Sequence, residues 1–355
     1  MVFDLKWGIL ATGGIAETFT RDLLIAPEKR GTTDVTHTVT AVGSSSKKSS
    51  AESFIDRLQI PSPVTAYGSY EEVVKDPAVQ AVYIGSPHSH HYQHAMLALH
   101  AGKHVLCEKA LTINAAQAKR LFELAKQKGL FFMEAVWTRF FPLSIQVREL
   151  IQNGAIGEVL RVVSDLSIGV HPETEWSLDH RMVNKDLAGG ALLDLGIYSL
   201  TWVFQILYHT LPRSQRKPPI SHCLAYVTLP GNGTSTAVAM TAFRVGTDPD
   251  GHGSAGPSIK IQGTKGHIHV FGPAFAPQWY RVIPSSQPNE PTTVQDVHMP
   301  VPEGRGMFWE ADEVARCLRD GKLESEGLPW EESLVIMEVL DEVRRQGGTD
   351  LLRES

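Results

Sequence analysis

From Lys6 to about Val136 the chain alternates short apolar runs with stretches in which apolar residues recur every three or four positions. Strand-like runs fall at Trp7–Ala11, Thr36–Gly43, Val79–Ile84, His104–Cys107 and Leu130–Val136, and helix-like segments at Ile15–Leu24, Ser49–Leu58, His91–Ala101 and Asn114–Lys128. This order predicts a parallel sheet covered by helices on both faces. Gly102 and Gly129 stand where two of the helices should stop, each followed at once by a buried-looking strand.

After Pro142 the pattern changes. A helix, Leu143–Gly154, leads into a long strand-like run, Gly157–Ile168, and then a helix led by two glycines, Gly190–Tyr208. Strand-like runs follow at His222–Leu229, Thr234–Arg244, Ser258–Gly263, His267–Phe271, Tyr280–Pro284 and Thr293–Met299, separated by turns at Pro230–Gly233, Gly246–Pro257 and Gly263–Gly266. Two amphipathic helices, Phe308–Arg319 and Glu331–Gln346, close the chain. The expected architecture is an α/β N-terminal domain with a doubly wound parallel sheet, residues 1–141, and an α+β C-terminal domain with an open, mostly antiparallel sheet, residues 142–355.

The length of 355 residues itself calls for two domains, and 42% hydrophobic with 20% charged residues allows each a buried core. A net charge of −6 with no basic stripe turns attention from nucleic acid to small molecules. Cys107, Cys223 and Cys317 are widely spaced and form no CxxC pair, so neither a disulfide framework nor a zinc site is expected. The opening MVFDLKWGIL lacks the features of a signal peptide and no segment reads as a membrane span, so the expected address is cytoplasmic.

The candidate chemistry begins at the first strand-to-helix turn. Ala11-Thr12-Gly13-Gly14-Ile15-Ala16 is a variant of the GxGxxG turn on which a dinucleotide pyrophosphate meets bare backbone at a helix N-terminus; glycines here also serve simple tight turns. Its place on the first strand of a βαβ alternation is the context that the nucleotide reading needs, a Rossmann-type domain. NAD-selective folds put Asp or Glu at the end of the second strand, whereas this chain ends Val42-Gly43 and continues Ser44-Ser45-Ser46-Lys47-Lys48. Ser44, Ser45 and Lys47 suit a 2′-phosphate, which predicts NADP over NAD; the other reading is a solvated Ser-Lys loop. Glu108 and Lys109 sit at the carboxyl end of an otherwise apolar strand, where such sheets bind ligands, although a surface ion pair has the same pattern. The preceding strand ends in an unusual run, Gly85-Ser86-Pro87-His88-Ser89-His90-His91.

These pieces, SPHSHH at Ser86–His91, HAMLALHAGKHVLCEKAL at His94–Leu111 and GGALLDLGIY at Gly189–Tyr198, resemble the glucose-fructose oxidoreductase and inositol dehydrogenase family, in order and over most of the chain. EAVWTRFFP at Glu134–Pro142 and EADEVARCLRDGKLES at Glu310–Ser325 are similar to its branch of dimeric dihydrodiol dehydrogenases and fungal NADP-dependent D-xylose 1-dehydrogenases. The resemblance implies that Lys109 contacts both substrate hydroxyl and nicotinamide ribose, and that Tyr198 transfers the proton. Where the family carries Glu-Lys-Pro this chain has Glu108-Lys109-Ala110, which removes a stiffening proline. A tyrosine acting as base needs a nearby cation, which Lys109 would supply; without the resemblance Tyr198 reads as an aromatic core position. Asp194 lies four residues before Tyr198 on the expected helix, and a carboxylate between Leu193 and Leu195 calls for a partner.

The remaining candidates are weaker. His88, His90, His91 and His94 resemble a metal cluster by number, but no cysteine or carboxylate accompanies them and no metal is expected; His88 and His91, with Ser86 and Pro87, are expected beside the cofactor. Trp137, Arg139 and Phe140 follow the last strand of the first domain, where an aromatic floor with one arginine suits a sugar or cyclic diol, or else forms a hinge; Trp137 and Arg139, with Glu108 and Lys109, are also expected at the cofactor. His180 and Arg181 are further substrate candidates. The expected reaction is oxidation of an aldose at C1, D-xylose to its lactone, by NADP. A trans-dihydrodiol is the alternative substrate, and a catalytically silent NADP-binding regulator the alternative class. The partly uncovered second sheet predicts a homodimer formed through it.

Overall fold

A computed structural model describes residues 2–219, 221–223, 226–230, 234–286 and 293–348. The chain divides into two compact units, Met1–Trp137 with Val301–Leu334, and Thr138–Pro300 with Val335–Ser355. The sequence pattern suggested a single boundary between 141 and 142. The composite first unit arises because residues 301–334 have specific partners there, set out below.

The first unit runs β1 (Phe3–Leu10), α1 (Gly14–Leu23), β2 (Val35–Gly43), α2 (Lys48–Leu58), β3 (Thr65–Tyr67), α3 (Tyr70–Lys75), β4 (Ala81–Ile84), α4 (His88–His100), β5 (His104–Glu108), α5 (Ala115–Lys128) and β6 (Phe132–Ala135). Its six strands pair in the order β3-β2-β1-β4-β5-β6, all parallel. β4 and β6 are buried along their whole length, as expected of strands covered on both faces. β3 and α3 have no counterpart in the sequence reading, because three strand residues and six helix residues are too few to establish a period.

The register fixes where this sheet can bind a ligand. Tyr67, Gly43, Leu10, Ile84, Cys107 and Glu134 pair in one continuous row across all six strands. The residues that follow them therefore emerge side by side along a single carboxyl edge: Ser44, Ala11, Gly85-Ser86, Glu108-Lys109 and Ala135. Gly43 belongs to this row for a packing reason: a Cβ there would stand 2.6 Å from Val73 Cγ2.

The segment 301–334 contains α9 (Phe308–Arg319) and joins this unit through a buried polar cluster. Asp312 forms an ion pair with Arg30, each side chain 1% exposed, and accepts from Thr32 Oγ1 at 2.7 Å. His37 completes the cluster: Trp7 Nε1–H donates to its Nδ1 at 3.2 Å, so the proton sits on Nε2 and is donated to Asp312 at 2.9 Å. Farther along, the Phe132 amide donates to Leu323 O at 3.0 Å, and Trp330 Nε1 donates to Phe132 O at 2.8 Å. The outer edge of β6 is thereby closed.

In the second unit, α6 (Pro142–Gln152), β7 (Val159–Ser167), the short α7 (Pro172–Glu175) and α8 (Ile197–Leu207) precede β8 (Ser221–Cys223), β9 (Tyr226–Pro230), β10 (Thr234–Ala242), β11 (Ile259–Gly263), β12 (Gly266–Phe271), β13 (Trp279–Pro284) and β14 (Gln295–His298); α10 (Trp330–Gln346) ends the chain. The sheet order is β14-β13-β12-β11-β7-β10-β9-β8, antiparallel except for the β7–β10 pair. Every residue of α8 is buried, and the helix ties itself to its surroundings through Ser199 Oγ to Met240 O at 2.7 Å and Trp202 Nε1 to Ala274 O at 2.8 Å. Lys185–Leu207 is apolar and long enough to match a membrane span, but 72% of its most apolar 18 residues are buried inside the protein, as in a core helix. The run expected at His222–Leu229 is two strands, with residues 224–225 and most of the following turn, 231–233, outside the described residues.

Burial, reinforced by the Arg30 and Arg316 charges, holds His37 down to about pKa 3, against 6.5 in the unfolded chain. The unfolded state therefore binds the extra proton first, and His37 costs stability as pH falls through the window from 6.5 to 3. Between pH 7 and pH 5 the wild-type protein should lose about 2 kcal/mol relative to His37→Gln, whose amide can meet both Trp7 and Asp312. Urea titrations of the two proteins at each pH check this, and parallel losses would contradict it.

Candidate functional site

β1 passes into α1 through Ala11, which is 8% exposed and has φ +113°, a backbone conformation that costs an alanine energy and a glycine little. Thr12 is half-buried, while Gly13, Gly14 and Ile15 are exposed. A Cβ built on Gly13 or Gly14 meets no heavy atom within 4 Å, and neither residue has a positive φ. Nothing in the fold demands glycine at either position. They leave backbone bare above an α1 N-terminus that has no side-chain cap, an arrangement with room and donors for a pyrophosphate. Ala16 is fully buried, and a Cβ on Gly85 would lie 3.3 Å from its methyl, so the last position of the turn sets close packing of α1 on the sheet.

Beside this turn, Ser44 is buried, its amide donating to Tyr67 O at 3.2 Å and its hydroxyl 3.3 Å from that of Ser46. Ser45, Lys47 and Lys48 are exposed, and Lys48 lies 3.9 Å from Glu52. Hydroxyls and ammonium groups thus line the β2 end, with no carboxylate from Gly43 to Lys48.

At the β4 end, Ser86 Oγ lies 2.9 Å from His94 Nδ1. Pro87 immediately precedes α4, whose first residue, His88, is 7% exposed and meets His91 edge to face at 5.6 Å. His91 is fully enclosed: its Nε2 is 2.8 Å from Ser86 O and its Nδ1 3.0 Å from Ala110 O. His91 is expected beside the cofactor, and in the structure both of its ring nitrogens face backbone carbonyl oxygens. At the β5 end, Tyr83 Oη donates to Glu108 Oε1 at 2.7 Å, and the Lys109 amide donates to Glu108 Oε2 at 3.2 Å. Lys109 is half-buried and its peptide bond to Ala110 is cis.

Trp137, 8% exposed, begins a single 3₁₀ turn, Trp137–Phe140. Within the second unit Phe140 is 7% exposed and Arg139 is 0% exposed, with Arg148 donating to Arg139 O at 3.0 Å and to Gln205 Oε1 at 2.8 Å. Arg139, expected in the aromatic floor and at the cofactor, is therefore enclosed by protein. The helix read as Gly190–Tyr208 opens with a π-helical turn, Leu192–Gly196, which carries Asp194, and continues as α8, whose second residue is Tyr198. Asp194 is 6% exposed and has the partner that its apolar neighbours demanded: Arg181 Nη1 donates to its Oδ1 at 3.0 Å. Tyr198 is 6% exposed, with Phe275 5.8 Å away between ring centres. Trp176 stacks on His180 at 5.3 Å and meets Phe243 edge-on at 5.1 Å, an aromatic group in the segment that also carries Arg181.

Residues 5–136 match the model of the oxidoreductase family with an NAD-binding Rossmann fold, GFO/IDH/MocA, and residues 144–269 match that family's C-terminal domain. The chain belongs to the GFO/IDH/MocA oxidoreductase family. It is 51% identical to D-xylose 1-dehydrogenase (NADP(+)) of Hypocrea jecorina over 98% of this chain and 93% of that protein. It is 35% identical to human trans-1,2-dihydrobenzene-1,2-diol dehydrogenase over 97% of each. Among solved structures, an NAD binding oxidoreductase from Klebsiella pneumoniae shares the fold with a TM-score of 0.78 at 20% identity, over 97% of this chain and 96% of that one.

Against the GFO/IDH/MocA pattern the chain departs at Ala11 and Ala110, both in the row of loops at the carboxyl edge. Two buried carboxyls in the same unit went unread in the sequence. Glu134 accepts from the Leu111 amide at 3.0 Å and from Ser333 Oγ at 2.8 Å, and burial pushes it up to about pKa 7. Glu310, in the first turn of α9, is fully buried and pushed well above the ordinary carboxyl range by burial, with Glu108 and Asp22 adding to the shift. Glu134 does not stand out in a linear pattern, because it is a single polar residue whose partners, Leu111 and Ser333, lie far away along the chain; both carboxyl oxygens of Glu310 are buried without a hydrogen-bond partner among the described residues. Gly13→Ala should leave the melting temperature within about 2 °C of wild type, since its methyl enters open space, yet raise the KM for the dinucleotide by about tenfold or more. Thermal scans and initial rates test it together; a loss of stability with unchanged KM would assign Gly13 to the fold.

Proposed function

We propose that this family member is an NADP-dependent dehydrogenase that oxidises an aldose at C1, with D-xylose the preferred substrate and the lactone its product. The observation that carries the reading is the carboxyl edge itself, where one register row brings an open glycine turn, an acid-free Ser-Lys loop and Lys109 into line. Gly13 and Gly14 would hold the pyrophosphate, and Ser44, Ser45 and Lys47 the 2′-phosphate. The choice of D-xylose rests on the likeness to the Hypocrea enzyme, which outweighs the more distant likeness to the dihydrodiol dehydrogenases.

NADP, when bound, supplies the hydride acceptor. The chain's own residues handle the proton and the oxygen. Tyr198, in its phenolate form, takes the proton of the C1 hydroxyl, and the Lys109 ammonium steadies negative charge on that oxygen as the proton leaves. Asp194, held by Arg181, orients the other hydroxyls, and Trp137 and Phe140 offer apolar surface to the ring face. Glu108 holds the Lys109 amide, while Ser86, Pro87 and His88 frame the neighbouring loop.

The open face of the second sheet carries half-exposed or exposed apolar residues, Val163, Val238 and Met240, on adjoining strands, which supports pairing of two copies through it. Free, buried Cys107 and Cys317 are in keeping with a cytoplasmic address.

Purified protein mixed with NADP and a panel of aldoses should form reduced nicotinamide fastest on D-xylose and slowly or not at all on a trans-dihydrodiol. No reduction on any aldose would overturn the reading, and turnover of the diol alone would establish the alternative. Replacing Lys47 and Lys48 by Ala should raise the KM for NADP about tenfold while changing that for NAD by less than about twofold. Equal changes for both dinucleotides would show that the loop does not select the phosphate.

A further inference from the structure

Lys109 can act only if its ammonium is delivered to one point, and a lysine side chain has too many rotors to ensure that by itself. Its backbone must then be fixed, and the first unit does so at three successive groups. The Lys109 N–H is held by Glu108 Oε2 at 3.2 Å. The next peptide unit, Ala110–Leu111, is gripped at both ends: its carbonyl oxygen lies 3.0 Å from His91 Nδ1, and its N–H donates to Glu134 Oε1 at 3.0 Å. The gripping groups come from neighbouring strand ends on either side of β5, His91 from the β4 side and Glu134 from β6. Both are interior, at 0% and 2% exposure, so solvent does not compete for them. Glu134 is braced from behind, its Oε2 accepting from Ser333 Oγ at 2.8 Å, and the second ring nitrogen of His91, Nε2, lies 2.8 Å from Ser86 O.

We propose that His91 and Glu134 are positioning residues for the reaction assigned above, clamping the Ala110–Leu111 peptide so that Lys109 keeps a single approach to the substrate oxygen. A neutral imidazole has one N–H for the two carbonyl oxygens that His91 faces; protonated on Nδ1 it donates to Ala110 O and closes the grip, and protonated on Nε2 it donates to Ser86 O instead. The sequence fits a need for such a clamp, since the position after Lys109 holds alanine, without the ring that fixes φ in a proline. Misplacing a catalytic group by about 1 Å can cost on the order of 100-fold in rate, so a loosened peptide should appear in kcat before it appears in cofactor binding.

The test compares wild type, Glu134→Gln, Glu134→Leu and His91→Asn in three measurements. These are hydrogen exchange at the Leu111 amide, NADPH binding by fluorescence, and kcat with D-xylose. Glu134→Gln retains an acceptor for Leu111 and a partner for Ser333, so its exchange and kcat should stay within about threefold of wild type. Glu134→Leu should speed Leu111 exchange and lower kcat, each by about tenfold or more, with NADPH affinity within about twofold; His91→Asn should move in the same direction. Should Glu134→Leu fail to fold, His91→Asn decides. Leu111 exchange and kcat within about twofold of wild type in the folded clamp variants would overturn the proposal. The clamp rests on the proposed function only for its kinetic consequence. A wild type that does not oxidise D-xylose would remove that function, while Leu111 exchange would still judge the clamp.

Discussion

Parallel pairing in one register is the constraint on which the rest of the site depends. Because Tyr67, Gly43, Leu10, Ile84, Cys107 and Glu134 occupy one row, the loops that leave the sheet emerge beside one another, whatever distance separates them in sequence. Shifting one strand by a residue would turn its side chains to the opposite face and move its loop off the edge. The strands mainly set the spacing of the residues beyond their ends, and β5 and β6 themselves carry Glu108 and Glu134.

Holding that row requires partners from beyond the alternating segment. The ion pair of Arg30 with Asp312, the Trp7–His37–Asp312 chain and the hydrogen bonds at β6 join residues 301–334 to a sheet that ends near residue 135. Breaking one side of a buried ion pair of this kind typically costs about 3–5 kcal/mol, more than several surface pairs contribute together. The same distant segment supplies Ser333, which braces Glu134 at the edge where Lys109 lies. Structural support and site geometry thus share residues.

Much of this was legible in the sequence. The strand and helix order of the first unit, the glycine turn between β1 and α1, the acid-free end of β2 and the family resemblance all depend on local pattern, which one chain displays directly. Asp194 could be recognised as a residue needing a partner because a carboxylate between two leucines is costly, and Arg181 supplies that partner. What escaped was non-local. A π-helical turn at Leu192–Gly196 has the same apolar spacing as an α-helix to within the resolution of a pattern, and the single interdomain boundary at 141/142 could not anticipate pairing of Arg30 with Asp312. His91, expected beside the cofactor, is fully buried with its two ring nitrogens 2.8 and 3.0 Å from the carbonyl oxygens of Ser86 and Ala110, contacts that no local pattern displays.

A structure of the protein with NADP and D-xylose bound tests the central claim most directly. The account places the pyrophosphate over Gly13 and Gly14, the 2′-phosphate among Ser44, Ser45 and Lys47, and Lys109 Nζ and Tyr198 Oη together at hydrogen-bonding distance from the C1 oxygen of the sugar. A sugar whose C1 oxygen is reached by neither group, or a dinucleotide lying away from the row of strand ends, would contradict it.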